Sequence, residues 1–165
     1  MKKFSHAFTL LEIVIALIII GVLAMMAIPD LSIMAVRAQL KESAPLIDVA
    51  KAAVTRYYLY NGKMPANNTD AGLPEAAKLV GKYVTGIDVR AGAVTITWGN
   101  SVNSSLRDKK LTIRPAFVED QPVIPIAWIC ASATVPKGMK IEGIDATDFP
   151  AKFIPLECRP RADEK

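Results

Sequence analysis

The feature that most constrains this chain is an apolar stretch at residues 8–29, FTLLEIVIALIIIGVLAMMAIP, in which Glu12 is the only charged residue. A helix needs about 20 predominantly apolar residues to cross a bilayer, and this stretch is long enough. A carboxylate at the centre of such a helix costs about 2.5–3.5 kcal/mol. We therefore interpret Glu12 as a functional residue that requires a partner.

The length and charge of the rest of the sequence limit the size of the domain that follows and the partners it could bind. Of 165 residues, about 130 follow it, enough for one small domain with its own core. The formal net charge is +4, and Lys2 and Lys3 supply two of those charges. A chain cut after Ala7 would carry only +2, so the charge gives weak support for an acidic partner.

Residues 1–7, MKKFSHA, are short, basic and polar, as in the first part of a targeting sequence. An ordinary signal peptide is cut after its apolar region, at small residues in an A-x-A arrangement. The far end of this stretch reads AMMAIP and lacks that arrangement. The small residue lies before the apolar stretch instead, at Ala7.

The N-terminal motif consists of residues 2–3, Ala7 and residues 8–12 (FTLLE), with their long apolar continuation. It resembles the N-terminus of type IV pilins and of the related type II secretion pseudopilins. The resemblance implies that a prepilin peptidase cuts between Ala7 and Phe8 on the cytoplasmic side of the membrane and methylates the new N-terminus at Phe8. The family nearly always has glycine where this chain has Ala7. Since alanine is the mildest replacement, we expect slower but intact processing.

Glu12 then has a candidate partner. Cleavage frees an amine on Phe8, and Glu12 of a neighbouring subunit would neutralise it inside a filament core. Two unit charges about 4 Å apart interact by about 4 kcal/mol at an effective dielectric constant near 20, against the desolvation of both. The alternative role for Glu12 is interaction with the helix dipole, worth about 0.3–1 kcal/mol.

Residues 30–60 carry charges and an apolar stripe at helical spacing, which predicts an amphipathic continuation of the helix. Pro29 predicts a kink and Pro45 a second bend, and Asn61-Gly62 predicts the helix end. Tyr57, Tyr58 and Tyr60 are interpreted as packing residues rather than as a binding site. The predicted apolar stripe comprises Val36, Leu40, Ile47, Ala50, Val54 and Tyr57.

Residues 61–82 are predicted as a connecting loop with a short helix that starts near Pro74 and continues over residues 76–80. Within it, residues 67–70 (NNTD) are interpreted as a solvated turn, and the alternatives are a weak calcium loop or a glycosylation triplet at Asn67 and Thr69.

From residue 83 onward the pattern predicts strands at residues 84–90, 93–98, 111–117 and 124–130. Short connections favour an antiparallel meander, and Pro115 suggests a sheet edge or bulge. The predicted fold class is therefore α+β, a long N-terminal helix packed on a four-stranded antiparallel sheet. Residues 131–165 are predicted as irregular, and residues 30–165 as one globular domain.

Cys130 and Cys158 are the two cysteines of the sequence. An even pair in an exported chain suggests a disulfide bond, and the alternative is two separate thiols. The resemblance agrees with the bond, because type IV pilins end in a disulfide-bounded loop region. Major pseudopilins generally lack it and use calcium, so the cysteine pair favours a pilin.

Catalytic chemistry is not predicted. His6 is the only histidine and would be lost with the leader, which excludes histidine-dependent nucleophilic and zinc chemistry in the mature chain. We predict no enzyme activity, no cofactor and no metal site.

The resemblance implies a structural subunit held in the inner membrane, with its domain in the periplasm, and then assembled into a surface pilus for adhesion, twitching motility or DNA uptake. Implied partners are copies of the chain itself, the prepilin peptidase, the assembly platform and the secretin. The alternatives are a pseudopilin and a minor or competence pilin that binds DNA. Candidate DNA contacts would be Arg107, Lys109, Lys110, Lys137 and Lys140.

Overall fold

The structure, a computed structural model, describes residues 9–27 and 31–160. The chain divides into two units, one ending at Leu31 and one beginning at Ser32. Ala7, Phe8 and Pro29, where we predict cleavage, methylation and a kink, lie outside the described residues.

The first unit holds helix α1, Leu10–Ala27. Its described side chains, from Leu10 to Met25, are exposed on every side of the helix. Within residues 9–27 and 31–160, no helix combines the length and the apolar character needed to cross a membrane. The predicted span, residues 8–29, extends past α1 at both ends.

Helix α2, Leu31–Asn61, supplies the long helix of the second unit from Ser32 onward and continues without a break through Pro45. The predicted stripe is largely confirmed, but Tyr58 rather than Tyr57 is the deeply buried tyrosine. Ser43 occupies a buried position of the same face, and its hydroxyl donates a hydrogen bond to the Gln39 carbonyl at 3.0 Å. The buried apolar residues of this face are Val36, Ile47, Ala50, Ala53, Val54 and Tyr58.

An antiparallel sheet follows, in the order β1-β2-β3-β4. The strands are β1 Val84–Arg90, β2 Ala93–Trp98, β3 Lys110–Phe117 and β4 Ala127–Cys130. A two-residue strand that we did not predict, β5 Lys140–Ile141, pairs with the end of β3 and makes the sheet five-stranded. The α+β fold class is confirmed, and β4 is shorter than predicted.

Pro115 lies inside the sheet, in a regular register with β4, which corrects the predicted edge or bulge. β3 lies between β2 and β4, and Pro115 is opposite Trp128 of β4. Its carbonyl accepts a hydrogen bond from the Glu142 N–H at 3.1 Å, on the β5 side. Because the N–H and C=O of one strand residue point to the same side, the missing donor faces β5 and leaves the pairing with β4 intact.

The core lies between α2 and one sheet face. Tyr58 of α2 contacts Phe117 of β3 with ring centroids 5.1 Å apart. Ile87, Ile96 and Trp98 are fully buried from the sheet side. The alternating pattern that predicted β2 therefore also identified two of its core-facing side chains, Ile96 and Trp98.

The predicted turn at residues 67–70 is present, but one of its residues is not solvated. Asn67 and Asp70 are exposed, but Asn68 is only 6% exposed. Its amide donates to the carbonyls of Pro74 and Ile87, each at 2.9 Å, and its side-chain oxygen accepts from the Val89 N–H at 2.6 Å. Asn68 therefore fastens the connecting loop to the outer edge of β1.

Candidate assembly surfaces

Thr9 and Glu12 shape the start of α1. The Thr9 carbonyl accepts hydrogen bonds from the N–H groups of Glu12 at 3.0 Å and Ile13 at 3.3 Å. The Thr9 hydroxyl oxygen accepts a further bond from the Glu12 N–H at 3.3 Å. Thr9 is thus the N-cap, and Thr-x-x-Glu is the spacing of a capping box, a signal that our sequence reasoning missed.

Glu12 lies exposed in the first turn of α1. A carboxylate there is stabilised by the helix dipole, which supports the interaction of Glu12 with that dipole. The same exposure leaves the carboxylate open to a partner from another copy.

The surface of α1 is apolar around its whole circumference. Twelve large side chains between Leu10 and Met25 are each 43–83% exposed. A large aliphatic side chain contributes about 1.5–3 kcal/mol when it is fully removed from water. A helix that is apolar on all sides is stable only when it is covered on all sides. The exposed residues are Leu10, Leu11, Ile13, Val14, Ile15, Leu17, Ile18, Ile19, Ile20, Val22, Leu23 and Met25.

The predicted bond between Cys130 and Cys158 is formed, with the Cα atoms 4.9 Å apart. It joins the end of β4 to a short 3-10 helix, Leu156–Cys158, and Cys158 is buried. The bond closes the C-terminal part of the chain onto the sheet.

The segment inside this disulfide is more ordered than the predicted loop. Asp148 accepts a hydrogen bond from the backbone N–H of Lys110 at 2.5 Å and pairs with the Lys109 ammonium at 3.3 Å. The Thr147 hydroxyl oxygen accepts from the Thr112 N–H at 3.0 Å. The segment therefore lies along the first residues of β3 and satisfies their backbone groups.

Asp148 and Tyr58 have pKa values shifted by their surroundings. Burial of Asp148 raises its pKa, but the hydrogen bonds from Lys110 and Lys109 outweigh burial, and the net pKa lies below its usual value. The pKa of Tyr58 is raised by burial first, and then by the negative charges of Asp120, Glu142 and Glu119.

The candidate DNA contacts do not form one free basic cluster. Lys109 pairs with Asp148 at 3.3 Å, and Lys140 pairs with Glu119 at 2.7 Å. Acidic side chains therefore neutralise part of the charge that a phosphate backbone would need.

Among residues 9–27 and 31–160, no group of three or more His, Cys, Asp or Glu side chains could hold a metal ion.

A helix with an apolar surface on every side, followed in sequence by a disulfide-closed α+β domain, defines a class of subunit that can assemble through its helix. Comparison with known families agrees. Residues 36–159 match the pilin family, described as a bacterial filament, and residues 2–28 match the prokaryotic N-terminal methylation motif. This chain belongs to the pilin family.

Three relatives align with this chain over nearly their whole length. A fimbrial protein of Neisseria meningitidis serogroup A is 33% identical, covering 98% of each chain. The type IV major pilin protein PilE1 of Neisseria gonorrhoeae is 33% identical over 100% of each chain. A fimbrial protein of Dichelobacter nodosus is 31% identical over 94% of this chain and 96% of its own.

Proposed function

We propose that this chain is the structural subunit of a type IV pilus on the cell surface and polymerises through α1 into a helical filament. The single observation that carries the proposal is the exposed apolar surface of α1, which requires cover on every side. The near full-length match to a type IV major pilin supports it. The filament would serve adhesion, twitching motility or DNA uptake.

Processing would precede assembly. The methylation motif matched at residues 2–28 supports cleavage by a prepilin peptidase between Ala7 and Phe8 and methylation of Phe8. Before cleavage the chain would be held in the inner membrane by residues 8–29, with its domain in the periplasm. The assembly platform would then extract it, the secretin would pass the filament, and the kink at Pro29 would lie within the extracted segment.

Glu12 would fix the position of each incoming subunit. Its exposed carboxylate in the first turn of α1 is available to the Phe8 amine of a neighbouring copy. In a desolvated core, an unpaired charge costs more than a paired one, so docking would be favoured where the two charges meet.

Two observations disfavour the alternatives. The Cys130–Cys158 bond favours a pilin over a pseudopilin, for which a reduced Cys130 would be expected. The ion pairs of Lys109 and Lys140 weaken the case for DNA binding by this domain.

The test is mass spectrometry of filaments sheared from cells. We expect this chain to be the main component, to begin at N-methylated Phe8 and to retain its disulfide. A matched Ala7→Gly variant should give the same mature N-terminus with faster processing. Filaments that lack this chain, or a product that begins at Met1, would overturn the proposal.

A further inference from the structure

A groove runs along the first half of α2, beside the end of the disulfide-closed segment. It has a volume of about 390 Å³ and is lined by α2 residues including Arg37, Leu40 and Lys41 and by the 155–157 segment. Leu156 is 68% exposed at its rim. Within residues 9–27 and 31–160, the ion pairs involve neither Arg37 nor Lys41. The groove therefore offers apolar surface with two free positive charges, beside one acid, Glu157.

The turn between β3 and β4, residues 118–126, has charges opposite to those of the groove. Glu119 and Asp120 lie exposed in this turn. Together with Glu142 they act electrostatically on Lys140, which pairs with Glu119 at 2.7 Å. Around Lys140, three carboxylates therefore face one ammonium group. Val123 is 87% exposed at the tip of the turn.

The β3–β4 turn is also held in shape. The Gln121 N–H donates to the Val118 carbonyl at 3.3 Å, and the Ile124 N–H donates to the Gln121 carbonyl at 3.1 Å. Pro122 and Pro125 restrict the backbone on both sides of Val123. A rigid turn loses little conformational entropy when it binds, which suits a docking element.

The groove and the turn lie at opposite ends of α2. Tyr58, near the C-terminal end of α2, contacts Phe117, the last residue of β3 before the turn. Lys41 lies 17 residues earlier on the same helix, about 26 Å away at 1.5 Å per residue. One copy cannot fill its own groove with its own turn, but a second copy stacked end to end can. Such head-to-tail contacts build helical filaments when they do not close into a ring.

We propose that the β3–β4 turn of one copy docks in the α2 groove of the next, with Val123 against Leu40 and Leu156 and with Glu119 and Asp120 facing Arg37 and Lys41. This inference rests on the proposed filament and adds a specific contact between the domains of successive subunits.

A photo-crosslinking residue tests the contact directly. With p-benzoylphenylalanine at position 123, irradiated filaments should yield covalent dimers in which position 123 is joined to peptides containing residues 37–44 or 155–157. The matched control places the same probe at Ile144, which is 84% exposed and lines a different cavity. Interchain crosslinks from position 123 to other peptides, or no interchain crosslinks in assembled filaments, would overturn the contact.

Charge reversal gives a second readout. Arg37→Glu with Lys41→Glu should increase the fraction of subunits released on heating filaments about twofold to fivefold. Adding Glu119→Lys and Asp120→Lys should restore the original fraction, and Lys78→Glu, at an exposed lysine outside the groove, should not change it. Filaments that form normally but show no rescue would contradict this contact alone. Failure of the unmodified chain to form filaments would contradict the proposed function instead.

Discussion

The side-chain oxygen of Asn68 accepts a hydrogen bond from the Val89 N–H at 2.6 Å, although 21 residues separate them in sequence. The Asn68 amide also donates to the Ile87 carbonyl at 2.9 Å. One buried side chain thus satisfies two backbone groups on the free edge of β1, where open groups would favour pairing with other chains.

Asn68→Ala should therefore lower the free energy of unfolding by about 2–4 kcal/mol, because it leaves buried donors and acceptors unsatisfied. Thermal unfolding of the purified full chain in detergent, followed by circular dichroism, measures the change. The matched control is Asn67→Ala, which removes one exposed hydrogen bond to the Asp70 N–H. Equal effects of the two substitutions would contradict the role of Asn68.

Removing the disulfide with Cys130→Ser and Cys158→Ser should lower stability by about 3–4 kcal/mol, since the bond closes a loop with a sequence separation of 28. Reduced wild-type protein should unfold at the same temperature as the double variant. If reductant leaves the unfolding temperature of the wild type unchanged, the expected contribution is absent.

The lowered pKa of Asp148 predicts that the stability of the folded chain decreases in acid. Its pKa is lower in the folded chain than its ordinary value of 3.8, so below that value the unfolded state binds the extra proton first. Stability supplied by Asp148 is therefore present above about pH 4 and is lost as pH falls through the folded pKa. Urea unfolding between pH 2 and pH 6 should show a shallower acid slope for Asp148→Asn than for wild type. Glu75→Gln, which removes only an exposed pair with Lys78, should keep the wild-type slope.

The hairpin between β1 and β2 should accept a stabilising change. Ala91 and Gly92 both have positive φ, 46° and 76°, as a type I′ turn requires, and asparagine adopts such a conformation more readily than alanine. Ala91→Asn should raise stability by about 0.5–1 kcal/mol, and Ala91→Val should lower it because branched side chains disfavour positive φ. Chemical denaturation of the two variants gives the sign of each effect, and a destabilising Ala91→Asn would contradict the assignment.

Glu12→Gln should reduce filament yield at least tenfold, because the amide cannot neutralise the Phe8 amine of a neighbour. Thr9→Val removes the N-cap and should cost about 1 kcal/mol of helix stability, with a much smaller loss of yield. Sheared filaments quantified by electron microscopy and gel densitometry distinguish the two. If filaments of the Glu12→Gln variant form at full yield and length, Glu12 acts only through the helix dipole.

Local patterns predicted much of the fold. Strands β1 and β2 were predicted with their observed bounds. The signal for β2 was the alternation of Val94, Ile96 and Trp98 with threonines. The long amphipathic helix followed from residues such as Val36, Ile47 and Val54 at helical spacing.

Features that depend on distant partners were missed. β5 has only two residues, and its pairing with Ala116 and Phe117 leaves no periodic signal. The buried position of Asn68 and the contact of Asp148 with β3 also depend on long-range hydrogen bonds. β4 is shorter than predicted because residues 121–125 form a turn with two prolines.

The uniform surface of α1 has a consequence for how copies could be arranged. Each side of the helix between Leu10 and Met25 presents similar aliphatic groups. Apolar packing alone therefore does little to select one rotation of the helix about its own axis, or one position along a neighbouring helix. The choice of one angle and one height must therefore come from sparse polar groups such as Glu12 and from the domains. The same helix could then pack in filaments of different helical twist, because residues outside its apolar surface determine how the subunits are arranged.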